Sequence, residues 1–368
     1  MSIKVKNVDL GNALSVVSSA CMGSGRIMPI LGSVMIKSNN INNKLLLTAS
    51  NMEMQIETSC EAEIKGDYVD GVCMDADKLS KFTKAGDKES LIDITIGSDG
   101  KALLKGKSRS TINTLNASDF PEMKVDLNKS IVVKLSANDL ALSFDSVNHC
   151  VAQNDVRSFL NGISFKLSNG ELTVVGSDGF RLSTITLPVN VPSDLSIDCI
   201  IPLKTAQTIA KSFKHGDIEL RLNRSSLSVT DGETTIIGKN IDAKFPDFGK
   251  VLNVVRTHNA SVERSAFVSA IDSVLLTATD QTKRIEMTIS DNNINFVCSN
   301  SQGEKSEVDV ECSYDGEDFV FGANADYVLQ SAKKIDGLLN LHWLDISNFI
   351  MTGSDEIGPT HLIMTVKM

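Results

Sequence analysis

The sequence has no run of about 18 apolar residues, so nothing in it reads as a membrane-spanning helix. Lys4, Lys6 and Asp9 interrupt the start before the apolar core of a signal peptide could form. Together these absences give the expectation of a cytoplasmic protein. None of the seven cysteines (Cys21, Cys60, Cys73, Cys150, Cys199, Cys298, Cys312) stands in a Cys-x-x-Cys spacing, and the number is odd. Reduced thiols are expected, without a zinc site or a disulfide framework.

Catalytic spacings are missing as well. His149, His215, His258, His342 and His361 are scattered, and none belongs to a His-Glu-x-x-His pattern, so no metal is expected. Gly100, Gly106, Lys107 and Ser108 resemble a phosphate loop, but five residues separate the glycines where that loop requires four, and Lys101 to Leu115 reads as strands. Ser177-Asp178-Gly179 lacks the upstream glycine of a nucleophile elbow. Asp155, Asp178 and Asp247 would form a carboxylate cluster only through tertiary placement. The chain is therefore read as a non-enzyme without a cofactor.

What is present is one pattern written three times. Hydrophobic content of 42% over 368 residues can fill two or three cores, which suits three units of about 120 residues each. Each unit opens with an apolar helical stretch, continues into alternating strands, and then gives a second helix and more strands. Leu45-Leu46-Leu47-Thr48-Ala49-Ser50-Asn51, Leu172-Thr173-Val174-Val175-Gly176-Ser177-Asp178 and Ile294-Asn295-Phe296-Val297-Cys298-Ser299-Asn300 fall in register. Phe120-Pro121 and Phe245-Pro246 punctuate the ends of the first two units. A repeat of this size points to a symmetric assembly whose shape carries the function.

Forty-six acidic residues against 36 basic ones leave a net charge of −10, which on its face argues against a nucleic-acid partner. Net charge says nothing of distribution, however. Lys78, Lys81 and Lys84 share one stripe of a second helix whose other side carries Leu79 and Phe82. In the second unit Pro202 reads as an early helix residue, Lys204, Lys211 and Lys214 mark the polar side, and Gly216 ends the helix. The third unit contributes Lys333 and Lys334. Aligned on the glycine-containing stops, Lys84, Lys214 and Lys334 are equivalent. Lysines at helix C-termini commonly just complement the macrodipole. Repetition at equivalent positions instead favours a surface that follows a phosphate backbone without reading sequence.

Several segments carry a resemblance. Pro29-Ile30-Leu31-Gly32, Asn154-Asp155-Val156-Arg157-Ser158-Phe159-Leu160-Asn161-Gly162, Ser177-Asp178-Gly179-Phe180-Arg181-Leu182 and Lys244-Phe245-Pro246-Asp247-Phe248 are similar to signature segments of the bacterial DNA polymerase III beta subunit, the replication sliding clamp. The similarity runs in register along the whole chain. It implies an α+β fold of three similar domains, 1–126, 127–254 and 255–368, assembled as a head-to-tail dimeric ring. Antiparallel sheets would lie outside, and helices would line a pore around double-stranded DNA. The implied partners are a second copy of the chain, the replicative polymerase alpha subunit, the clamp loader and other proteins with a clamp-binding motif. The clamp would tether the polymerase and so raise its effective concentration at the primer end.

The resemblance also assigns residues. A peptide groove would be formed by Leu160, Ser177, Gly179, Phe180, Arg181, Leu182, Pro246, Val251, Asn324, Tyr327, Phe349, Leu362, Met364, Thr365, Val366 and Lys367. Arg26, Gln153, Asn154 and Arg157 match positions that contact DNA. The dimer seam would join Lys107, Arg109 and Ser110 to Leu275 and Leu276, and Ser110 stands where some members carry an aromatic. A second departure lies at the end, where Met-Pro-Met-Arg-Leu is replaced by Met364-Thr365-Val366-Lys367-Met368. Loss of the proline predicts a looser tail, and Lys367 cannot make a planar guanidinium contact, so the same groove with an altered motif preference is expected. Two other readings compete with a clamp: a hydrolase built on the three aspartates, and a monomeric all-β adhesion or assembly module.

Overall fold

The computed structural model describes residues 2–21, 28–39, 43–65, 71–279, 283–355 and 357–367. Each third of the chain follows one order: a strand, a helix, four strands, a helix and three strands. The first repeat is β1 (Ser2–Lys6), α1 (Asn7–Cys21), β2 (Ser33–Asn39), β3 (Lys44–Ser50), β4 (Met54–Lys65), β5 (Val72–Asp75), α2 (Ala76–Ala85), β6 (Leu91–Ile96), β7 (Lys101–Lys105) and β8 (Arg109–Asn116). The second is β9 (Ile131–Ser136), α3 (Ala137–Val147), β10 (Gly162–Ser168), β11 (Glu171–Ser177), β12 (Arg181–Pro188), β13 (Ile197–Pro202), α4 (Leu203–Ser212), β14 (Asp217–Leu222), β15 (Ser226–Thr230) and β16 (Thr235–Lys239). After a short helix, α5 (Gly249–Leu252), come β17 (His258–Glu263), α6 (Arg264–Val274), β18 (Arg284–Ser290), β19 (Asn293–Ser299), β20 (Lys305–Glu311), β21 (Phe319–Asn324), α7 (Ala325–Ala332), β22 (Leu338–Trp343), β23 (Asn348–Thr352) and β24 (Thr360–Met364).

The elements follow from the residue pattern. Strands such as β14 and β18 bury alternate residues, because successive side chains point to opposite faces. Helix α1 buries Leu10, Ala13, Leu14, Val17 and Ala20, the spacing of one helical face. Helices α2 and α7 start at equivalent caps: Asp75 accepts from the Lys78 amide, and Asn324 accepts from the amides of Asp326 and Tyr327. The repeating Ser50, Ser177 and Ser299 are the last residues of β3, β11 and β19, the third strand of each repeat. Pro202 differs from its expected place: it ends β13, and α4 runs only from Leu203 to Ser212, short of Gly216.

Strand pairing is also repeated. In every repeat the first strand pairs with the sixth, and the sixth, seventh and eighth form a meander. The fifth pairs with the second, and the second, third and fourth form another. All these pairs are antiparallel. Successive repeats are joined by one rule, the fourth strand of one pairing with the eighth strand of the next. Thus β4 pairs with β16, and β12 pairs with β24. Among the described strands, β20, the fourth of the last repeat, is an edge, and β8, the eighth of the first, pairs only with β7 over residues 109–113.

The chain packs as two compact units, residues 1–138 with 211–240 and residues 139–210 with 241–368. In the first, Ile30, Leu31, Met35, Cys73, Ala117 and Phe120 form one buried cluster. In the second, Trp343, Phe267, Phe296, Phe321 and Phe349 anchor the core of the last repeat, and Val175, Leu182, Ile200, Phe245, Ile350 and Leu362 form a separate cluster.

Candidate functional site

The residues assigned to the groove gather around the β12–β24 pair. Leu182 stands opposite Leu362 in that ladder, and both are buried among Phe245, Ile350 and Val175. Phe159 and Phe248 pack on this cluster and meet Phe245 edge-on at 6.2 and 6.3 Å. Leu160, also buried, lies within the turn before β10. These residues form a rigid apolar floor. Its rim is apolar and accessible: Phe180 is 61% exposed, Val251 45%, Met364 41% and Val366 39%. Pro246 is exposed and lines a polar cleft of about 590 Å³ between residues 244–253 and the outer face of β10 to β12. Phe349 is 1% exposed, pairs with Ile363 in the β23–β24 ladder and packs against Phe321 in the core of the last repeat.

The turn that presents Phe180 is held by its own polar residues. Asp178 Oδ1 accepts from the amides of Phe180 and Arg181 at 2.9 and 3.0 Å, and Ser177 Oγ accepts from the Gly179 amide at 3.1 Å. Gly179 has φ +90°, a region disfavoured for any side chain, and a Cβ there would stand 3.1 Å from Arg157 Nη1. Arg181 is the centre of the network. Its Nε donates to Asp178 Oδ2 at 3.0 Å, Nη1 to Gln330 Oε1 at 2.9 Å and Nη2 to the His149 carbonyl at 2.5 Å. Tyr327 covers the guanidinium face, and burial raises its hydroxyl pKa above the ordinary value.

Beneath this network lie two histidines with rings 5.3 Å apart. His149 Nε2 meets Ser331 Oγ at 3.2 Å, while both ring nitrogens of His361 are buried with no hydrogen-bond partner among the described residues. Burial pushes each imidazole down to about 3; Arg181 and Lys334 reinforce the shift at both, and His149 adds to it at His361. Both rings are therefore neutral at neutral pH.

The tail, expected to be looser for want of the proline, is bonded to the segments beside it. The Met364 amide donates to the Phe180 carbonyl at 2.9 Å, the Thr365 amide to Ser347 O at 3.1 Å and the Val366 amide to Gly322 O at 2.8 Å. Thr365 Oγ1 adds contacts to the carbonyls of Ile346 and Ser347 at 2.5 and 3.0 Å. Threonine supplies an N–H and a hydroxyl where proline has neither. Lys367 is exposed.

The basic stripe is uneven. Lys78, Lys81 and Lys84 are exposed on α2, and Lys204 and Lys211 are exposed on α4, but exposed Lys214 lies two residues past that helix. Helix α7 contains no lysine: exposed Lys333 is its C-cap, and Lys334 pairs with Asp145 at 2.7 Å. The threefold equivalence of Lys84, Lys214 and Lys334 does not hold as helix positions. Gln153 and Asn154 are exposed, and Asn154 has φ +59°. Arg157 grips Asp155 with two bonds at 3.0 and 2.9 Å, which holds that carboxyl down at about 2. Arg26 lies outside the described residues.

The three aspartates of the hydrolase reading are engaged locally, Asp155 by Arg157, Asp178 by Arg181, and Asp247 by the Gly249 amide at 3.0 Å. Among the described residues no group of three or more His, Cys, Asp or Glu side chains is placed to hold a metal ion, and no helix is long and apolar enough to cross a membrane. At the seam positions, Lys107 and Arg109 are exposed and Ser110 is half-buried. Leu276 is 87% exposed on a turn that touches β20, and Leu275 packs against the core.

Comparison with known proteins agrees with this architecture. The chain matches the DNA polymerase III beta subunit N-terminal domain over residues 1–124, its central domain over 134–247 and its C-terminal domain over 250–339. It is 26% identical over 336 residues to the beta sliding clamp of Pseudomonas aeruginosa, covering 91% of this chain and 89% of that one. It is 24% identical over 307 residues to that of Haemophilus influenzae, covering 82% of each. The crystal structure of the Pseudomonas aeruginosa clamp bound to griselimycin superimposes with a TM-score of 0.94 at 24% identity, with 100% of both chains covered. The Caulobacter crescentus clamp gives 0.93 at 22%, covering 100% of this chain and 99% of that one. Three consecutive domain matches spanning most of its length, on a fold built from three like repeats, make this chain a member of the DNA polymerase III beta subunit family, the bacterial sliding clamps.

Proposed function

We propose that this protein is the cytoplasmic processivity clamp of a replicative polymerase, working as a head-to-tail ring of two copies around duplex DNA. The observation that carries this reading is the joining rule of the repeats. Fourth strands pair with eighth strands twice within the chain, and β20 and β8 are the fourth and eighth strands left over. A second copy would continue the ladder with β20 of one protomer against residues 109–113 of the other, which removes both open edges. Charge supports the match: Glu307, Asp309 and Glu311 lie on β20, and Lys105, Lys107 and Arg109 lie at or beside β8. Leu276 would bury its exposed side chain beside that strand.

The three domains are taken as 1–126, 127–254 and 255–368. Exposed Lys78, Lys81, Lys84, Lys204, Lys211, Lys214 and Lys333 would contact the DNA backbone without reading sequence. Lys334 and Arg157 would contribute less, being already paired with Asp145 and Asp155. The surface around Phe180, Val251 and Met364 would take leucine and phenylalanine anchors of linear motifs from the polymerase alpha subunit, the clamp loader and other partners. The clamp itself performs no chemistry and acts by tethering.

The decisive experiment loads the protein with a compatible clamp loader and ATP onto nicked circular DNA, then linearises the circle. Retention on circles and loss from linear ends is the expected result. Equal loss from both at moderate salt would reduce the protein to an ordinary electrostatic binder and overturn the reading.

A further inference from the structure

Arg256 lies in the segment between α5 and β17, outside every role considered above. Its Nη1 donates to the carbonyls of Leu252 and Val254 at 3.0 and 2.9 Å. Its Nη2 donates to the carbonyl of Val251 at 3.0 Å and reaches Asn348 Oδ1 at 3.3 Å. The carbonyls of Val251 and Leu252 belong to the last turn of α5, where oxygens lack helical partners, and one planar guanidinium satisfies both.

The fourth contact gives the arrangement its meaning. Asn348 opens β23 and stands opposite Met364 in the β23–β24 ladder. A single side chain thus ties the turn that carries exposed Val251 to the strand neighbour of exposed Met364. Those two residues are exposed, and their chain neighbours Leu252 and Ile363 lie beside one apolar floor that includes Leu182, Leu362, Phe245 and the flanking Phe248. Arg256 reaches both rims and is not itself part of the buried cluster.

We propose that Arg256 is a positioning residue of the groove, holding the Val251 rim at a fixed distance from the Met364 rim and so setting affinity for apolar peptide anchors. The proposal rests on the reading of this surface as a peptide groove. A lysine at this position is no substitute, because an ammonium is a point donor that cannot span three carbonyls and a side-chain amide in one plane. Loss of the tie frees the turn, and the peptide must then order it on binding, which appears as weaker affinity.

The test titrates a fluorescent peptide bearing leucine and phenylalanine anchors against the full chain. The variants are Arg256→Ala, Arg256→Lys, Asn348→Ala, Val251→Ala and the double variant R256A/V251A, each checked for dimer mass and circular dichroism. Arg256→Ala is expected to raise Kd about tenfold, in line with loss of a charged hydrogen-bond donor. Arg256→Lys should stay within about twofold of that, and Asn348→Ala should fall between it and wild type. On the Val251→Ala background the arginine should matter little, since residues acting through one another are not additive. Unchanged Kd in Arg256→Ala, rescue by lysine, or full additivity with Val251→Ala would each overturn the proposal while leaving the groove intact. Failure of the wild-type chain to bind the peptide would overturn both.

Discussion

The Arg181 guanidinium lies 4.2 Å from the centroid of the Tyr327 ring, so the turn at the start of β12 and helix α7 share one buried cation. Its three nitrogens also hold Asp178, Gln330 and the His149 carbonyl. Arg181→Ala would strand the Asp178 carboxylate, 15% exposed, without its cation. The expected cost is about 3 kcal/mol, the range for breaking a largely buried pair, read as a shift in denaturant midpoint. Arg181→Lys should recover only part of it, because lysine cannot serve the three acceptors and the ring together.

Acid should weaken the second unit through His361 and His149. Both are held at about 3, below the ordinary imidazole value, so the unfolded chain binds more protons than the folded one between about 6.5 and 3. Their contribution is complete above pH 6.5 and is lost as pH falls toward 3. Replacing His361 with phenylalanine should flatten that limb of a urea midpoint series between pH 7.5 and 5. A variant curve parallel to wild type would remove the histidines from the account.

Charge across the seam should make the dimer salt-sensitive. Reversing Arg109 to glutamate places like charge against Glu307, Asp309 and Glu311, and the dimer dissociation constant should rise about tenfold at low salt, with a smaller change at high salt. Sedimentation equilibrium at two salt concentrations measures this, and identical constants for both proteins would rule out the β8–β20 pairing.

Thr365 should be the fastener of the tail. Thr365→Val removes the hydroxyl bonds to Ile346 and Ser347 but keeps the amide bond, at a cost of about 1 kcal/mol, visible as faster hydrogen exchange at the Val366 amide. Thr365→Pro removes both kinds of donor and should speed exchange further.

Much of the fold was readable because strand alternation and short helical faces are local. The serines at 50, 177 and 299 marked the same strand end in all three repeats, and Lys101 to Leu115 proved to be strands. The lysines were placed less well, since alignment on a later glycine assumed that each helix runs up to it, as α2 does to Gly86, whereas α4 stops at Ser212 and α7 at Ala332. Phe349 has the right chemistry for a groove, but nothing local shows that β23 turns it toward Phe321. Arg256 and Asn348 carry no pattern at all. They meet across 92 positions, and only the folded chain brings them together.

The joining rule of the repeats gives the molecule a direction. In the proposed ring the leftover fourth strand of one copy would receive the leftover eighth strand of the next, so the two contact surfaces of each chain would differ and copies would join front to back, like people holding hands in a circle facing the same way. Closing such a circle is a pure rotation, with no copy turned over. In such a ring every tail from Met364 to Lys367 would look toward the same side, and two partners gripping it would stand as neighbours on one face.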